Sequence, residues 1–334
     1  MTENNNTLMN LDFERTLPIS LVHKPSNDSV LLTDYVAISP NETILGAQIP
    51  RSHCLYQENI LESRGYDIAA LVEICRQACF AIAHNQFGLS LAENRYQFLF
   101  RELKVTVNPE ALDIRHPIGR FIRVVVNSKV EKETRNAGRT AGLQWRYVLT
   151  DPTSSTEIAV IQIRQNFVDR VQWKRIRVDM CKQRGVQFQA PIEVPEDSEL
   201  KPAEVARWNP QNIALLRVTH KDGGYIALAR FDPRHPVLFD RPTADHIFAM
   251  TQLEASRQLA IYATAKIKNI DAFRLKIIKC DALFISMCEL NTPTELHAKL
   301  SKNEQNSSVM TVSIQLIQSG RTVSDFSIDV QEII

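Results

Sequence analysis

The sequence predicts an α+β protein built as a tandem repeat, each half an antiparallel sheet wrapped around one long central helix. Three observations predict it. A short stretch with Glu, Arg and Gln in fixed register occurs twice, 181 residues apart. Each occurrence lies in a segment that is apolar on nearly every side. Each of these segments follows a hairpin pattern and precedes several strand-like runs.

The elements follow in order. Val30–Thr33 and Ala214–Arg217 read as first strands, each followed by a turn-rich segment, Ser39–Glu42 and Lys221–Gly224. Thr43–Ile49 and Tyr225–Arg230 then read as the returning strands, running into loops that carry Pro50-Arg51-Ser52-His53 and Pro233-Arg234-His235. The two histidines are 182 residues apart, one residue of drift from the helical repeat. The helices, Asp67–Phe87 and His246–Lys266, are rich in small residues such as Ala78, Ala81, Ala255 and Ala260, which suits burial beneath a sheet. Strand periodicity follows at 97–107, 119–130, 143–150 and 157–167 in the first half, and at 273–284 and 309–318 in the second. Pro191, Pro195, Pro202 and a run of acidic residues mark a linker. The expected division is an N-terminal unit over 17–187, a linker over 188–208 and a C-terminal unit over 209–334.

Within the repeated stretch, positions i, i+3 and i+4 share one helical face. Glu73, Arg76 and Gln77 therefore project together, as do Glu254, Arg257 and Gln258. Charged groups in a buried helix are either paired with one another or kept for chemistry. A histidine loop ahead of each helix makes an acid–base pair of His53 with Glu73, or His235 with Glu254, a candidate; an internal Glu–Arg pair is the structural alternative.

Composition excludes several classes. A net charge of +1 gives no general attraction for nucleic acid or an anionic membrane. The basic run Lys174, Arg175, Arg177, Lys182 and Arg184 reads as a solvated helix face or a partner contact. No signal peptide or spanning segment is apparent. The six cysteines include no CxxC pair, so neither zinc nor a disulfide framework is expected and the chain is assigned to the cytoplasm. No cofactor motif, nucleotide loop or serine-hydrolase elbow is present. His84 reads as capped or solvent-facing, and His246, at a helix start, as a possible functional group or a partner for Asp245.

The segment His235-Pro236-Val237-Leu238-Phe239-Asp240-Arg241-Pro242, with Asp245-His246 and Leu253-Glu254-Ala255-Ser256-Arg257-Gln258, resembles the A-factor-type γ-butyrolactone synthase family. Pro50–His53 with Glu73–Ala78 resembles that family's other repeat, and the likeness spans about 21–265. The resemblance implies a double hotdog, the fold of β-hydroxyacyl dehydratases and acyl-thioester hydrolases. Against the dehydratase pattern, Asp240 stands in place of the histidine, and Phe248-Ala249 replace Pro-Gly at the helix entry.

The resemblance further implies acyl transfer from a β-ketoacyl thioester, on acyl carrier protein or coenzyme A, to the hydroxyl of dihydroxyacetone phosphate, followed by cyclisation to a butenolide phosphate. Glu254, with Arg257 for charge, is the expected base and centre. Glu73, Gln77 and His53 would complete or mirror it, while Arg76, Gln258, Arg51, Arg234, His235 and Arg241 would bind substrate. Rival readings are a hotdog thioesterase or dehydratase, or a non-catalytic acyl-binding double hotdog. A monomer or weak homodimer is expected, because two halves in one chain supply the pairing that single units obtain by dimerising.

Overall fold

The computed structural model describes residues 11–58, 66–91, 95–108, 111, 122–185, 192–240, 244–303 and 306–333. The first half comprises β1 (Leu32–Ser39), β2 (Glu42–Ile49), α1 (Ile68–Gln86), β3 (Tyr96–Val107), β4 (Ile122–Asn136), β5 (Arg139–Thr150), β6 (Glu157–Asp169) and α2 (Arg170–Arg184). The second comprises β7 (Leu215–Lys221), β8 (Gly224–Ala229), α3 (Ala249–Lys268), β9 (Leu275–Phe284), β10 (Glu295–Lys302), β11 (Val309–Gln318) and β12 (Arg321–Glu332).

All twelve strands form one sheet in the order β1-β2-β4-β5-β6-β3-β9-β12-β11-β10-β8-β7. With β7 matched to β1, β8 to β2 and β9 to β3, the second half of that order repeats the first in reverse. The halves join edge to edge where β3 runs antiparallel to β9, from Glu102 opposite Leu283 to Thr106 opposite Lys279. The junction therefore turns two edges into interior rungs within one chain.

Burial alternates along the strands as a one-sided sheet requires: in β11 Val312, Ile314 and Leu316 are buried while Ser313 and Gln315 are exposed. Fifteen of the nineteen residues of α1 and fifteen of the twenty of α3 are buried. The two helices touch each other and the strands of their own halves. The β7–β8 reversal uses Asp222 and Gly223 at φ 52° and 72°, the paired left-handed backbone of a tight hairpin turn.

Several details differ from the pattern reading. β10 and β12 were not singled out by periodicity. α3 begins at Ala249, after an extended Phe248, rather than at His246. The stretch 119–121 and Arg241 lie outside the described residues. α2 has no repeat-related helix among the described residues, and its Arg177 is not solvated: it is 1% exposed and ion-paired to Glu289.

Candidate functional site

Each glutamine of the repeated stripe ties its helix to the chain just ahead of the first strand of its half. Gln77 accepts from the Leu31 amide at 2.9 Å and donates to the Ser29 carbonyl at 3.0 Å. Gln258 accepts from the Ala214 amide at 2.8 Å and donates to the Asn212 carbonyl at 2.7 Å. These glutamines satisfy buried backbone groups and fix the helix register, a structural duty.

The stripe glutamates carry the charge. Glu254, 0% exposed, accepts from Arg257 Nε and Nη2, both at 2.9 Å, from Arg207 Nε at 2.9 Å and Nη2 at 2.7 Å, and from Gln258 at 2.6 Å. Glu73 accepts from Arg76 Nε at 2.7 Å and Nη2 at 3.0 Å and from Gln77 at 2.9 Å, and pairs with Lys24 at 2.8 Å. Burial alone would push both carboxyls up. Arg76 and Lys24 around Glu73, and Arg207 and Arg257 around Glu254, outweigh it and hold both below the usual carboxylate range. A carboxylate so held takes up a proton poorly near neutrality, which suits a charge anchor better than the base expected of Glu254.

Lys24, Arg207 and Asp240 complete these clusters and were absent from the sequence-based candidates. Asp240, from the loop of the second half, reaches the helix of the first: it accepts from Lys24 at 2.6 Å and Arg76 Nη2 at 2.9 Å. Its repeat mate at an offset of 182, Glu58, does the reverse, accepting from Arg207, Asn209 and Asn212 beside α3. Arg207, inside the expected linker, also donates to the Leu55 carbonyl at 2.9 Å and Asp67 at 3.1 Å. Each cluster is thus assembled across the pseudo-dyad, from the helix of one half and the loop of the other. The 182-residue match of Glu58 to Asp240 was the sequence signal for it.

The loop histidines serve their own loops. His53 Nδ1 accepts from the Leu55 and Tyr56 amides at 3.3 and 3.1 Å. His235 Nδ1 accepts from Val237 and Leu238 at 3.2 and 3.0 Å, which leaves Nε2 to donate to Asn212 Oδ1 at 2.9 Å. Burial lowers both rings to about 4, so both are neutral at pH 7. Neither bonds a stripe glutamate among the described residues. Arg51 is exposed, and Arg234 is exposed and paired to Asp232 at 2.9 Å. His84 meets the Leu89 carbonyl and, at 2.7 Å, His23.

Two cavities flank the clusters. One, of ≈130 Å³, is polar; Tyr56, Glu58, Asp67, Arg207, Arg257 and Lys276 line it, and burial lowers the Lys276 ammonium from its ordinary value. The other, of ≈70 Å³, is lined by the charged groups Glu73, Arg76 and Asp240 and by Phe80, Phe98, Phe100, Phe248 and Met250. His246 and Ala249 also line it. Here the helix entries diverge. Asp67 caps α1, accepting from the Ala69 amide at 2.8 Å. Phe248, in the same place on α3, supplies no side-chain cap. The opening of α3 therefore brings uncapped amides, and the positive end of its dipole, to the phenylalanine-lined cavity.

Two helix-and-sheet units joined edge to edge, with a polar stripe repeated on their helices, are the architecture of a tandem hotdog protein. The chain belongs to the A-factor biosynthesis hotdog domain family, whose model matches it in two parts, residues 7–169 and 189–332. It is 29% identical over 245 residues to 2-oxo-3-(phosphooxy)propyl 3-oxoalkanoate synthase of Streptomyces virginiae, covering 73% of this chain and 76% of that protein. Among solved structures, an isomerase-inactive variant of GphF DH1 is similar at a TM-score of 0.51 and 11% identity, over 91% of this chain and 96% of that one. A putative oleoyl thioesterase of Lactobacillus plantarum gives 0.49 and 11%, over 87% and 95%. No described helix is long and apolar enough to cross a membrane.

Proposed function

We propose that this chain is an acyltransferase that joins a β-ketoacyl thioester to the hydroxyl of dihydroxyacetone phosphate, giving the ester from which a butenolide phosphate forms. The observation that carries the reading is the cavity at the start of α3, where an aromatic wall meets helix amides that no side chain caps. An acyl chain suits the phenylalanines, and a thioester carbonyl gains from N–H donors aimed where its negative charge develops. Kinship to a protein named as such a synthase supports the choice of substrates.

In this reading Glu73 and Glu254 fix the guanidiniums of Arg76, Arg207 and Arg257, and Arg76, in the lining of the same cavity, offers a cation to the phosphate. The units are taken as 17–187 and 209–334, with 188–208 between them bringing Arg207 to the second cluster. The test is mass spectrometry of the protein incubated with a medium-chain β-ketoacyl thioester, with and without dihydroxyacetone phosphate. A phosphorylated ester or butenolide that requires both substrates is expected. Free acid formed regardless of the phosphate would replace this reading with hydrolysis.

A further inference from the structure

We infer that His246 is the general base of the acyl transfer, oriented by Asp245 in the wall of the phenylalanine-lined cavity. The inference rests on the acyl-transfer reading above and gives it a proton acceptor. The ring is fixed from one side: its Nδ1 meets Asp245 Oδ1, and Phe248 meets it edge-on at 5.4 Å between centroids. Nε2 has no hydrogen-bond partner among the described residues, and the residue lines the cavity that Arg76 and Asp240 also line.

Asp245 is itself held. Its Oδ2 accepts from Trp173 Nε1 at 3.0 Å and lies 3.6 Å from Arg177 Nε; Arg177 Nη2 donates to the Asp245 carbonyl at 2.9 Å. Two further bonds at 2.9 and 2.7 Å lock Arg177 to Glu289. A cavity-lining histidine with one ring nitrogen unbonded and the other oriented by a fixed carboxylate has the geometry of a base that must stay in one tautomer. α2 supplies Trp173 and Arg177 and has no counterpart in the other half among the described residues, so this support exists only here.

The other basic groups nearby are engaged. Glu73, Glu254 and Asp240 are held in ion pairs, and the Nδ1 atoms of His53 and His235 accept backbone amides. In the proposed step the acceptor hydroxyl gives its proton to His246 Nε2 as its oxygen bonds to the thioester carbonyl carbon. The opening amides of α3 hold the oxyanion. The C–S bond then breaks, and the departing thiolate takes the proton from Nε2. Asp245 remains ionised throughout and stabilises the transient imidazolium.

The test compares the intact chain with His246→Ala, measuring thioester turnover and, separately, binding of an unreactive thioether analogue of the β-ketoacyl thioester. The expected result is a loss of kcat of about 10²–10⁴-fold with analogue binding retained, and partial recovery on adding imidazole. Recovery is the readout that a merely structural role would not give. Turnover within about threefold of the intact chain, or a loss that imidazole does not restore although the analogue still binds, would overturn the inference. If the intact chain yields free acid in place of the phosphorylated ester, the synthase reading fails alone: water then takes the place of the hydroxyl, and the same comparison on hydrolysis decides the role of His246. An intact chain that turns over no thioester would overturn both.

Discussion

The two polar clusters begin from the same three helix residues and end in different chemistry. Around Glu254, two arginines clamp a carboxylate with no exposure, and the adjoining cavity is polar. Around Glu73, one arginine and one lysine are shared with Asp240, and the adjoining cavity is walled by phenylalanines. The helix entries differ in the same sense, since Asp67 closes the amides of α1 while Phe248 leaves those of α3 open. The repeated stripe is therefore the common scaffold. The residues around it that differ in type between the halves, Lys24 against Arg207 and Asp67 against Phe248, together with His246, distinguish the two sides.

The comparison makes its largest prediction at the cations. Arg207→Met leaves Asp67, Glu58, the Leu55 carbonyl and one face of Glu254 without their shared donor, and is expected to cost ~3–5 kcal/mol of stability in denaturant unfolding. Lys24→Met leaves Glu73 and Asp240 both still bonded to Arg76, so a smaller loss of ~1.5–3 kcal/mol is expected. Equal losses, or the reverse order, would show that the two clusters are not built as the hydrogen bonds imply.

What was legible in the sequence follows the same line. Glu73, Arg76 and Gln77 lie within one turn of helix, so spacing alone puts them on one face, and their recurrence after 181 residues exposes the repeat. Lys24 and Arg207 reach their carboxylates across 49 and 47 residues of chain, and no periodicity encodes such a contact. Arg207 was further obscured by its surroundings, a Pro-rich acidic stretch with the composition of a linker. The histidine loops were found, but the pairing assigned to them was not the observed one: a ring nitrogen that accepts two amides of its own loop looks, in sequence, the same as one facing a carboxylate.

Those histidines give a pH signature separable from that of the glutamates. Burial takes His235 from 6.5 to about 4 in the folded chain. Above pH ~6.5 the ring is neutral folded and unfolded, and pH has no leverage through it. Between ~6.5 and ~4 the unfolded chain binds a proton that the folded chain refuses, so stability falls as pH falls, by up to ~3 kcal/mol, and levels off below. Glu73 and Glu254 are likewise held below their own reference of 4.5, by the cations beside them, so their contribution is present above that value and lost as pH falls below it, in a lower window than that of the histidines. His53 shares the histidine window. Unfolding free energies measured at pH 7, 6 and 5 should therefore decline, and His235→Asn should flatten that decline. An unchanged slope in the variant would mean that the ring is not held neutral.

The smallest expected effect lies at the helix entries, where it also tests the contrast most directly. Asp67 caps α1 and offers a carboxylate oxygen to Arg207. Asp67→Asn keeps a capping oxygen and removes the charge, whereas Asp67→Ala removes both. The difference between the two variants isolates the cap and is expected to be ~0.5–2 kcal/mol in thermal or denaturant unfolding. No equivalent term exists at α3, because Phe248 makes no cap to lose. If the open amides of α3 serve the thioester, neither Asp67 variant should alter the KM for thioester by more than its effect on stability explains. A rise in KM confined to Asp67→Ala would place the thioester at the entry of α1 and reverse the assignment of the two sides.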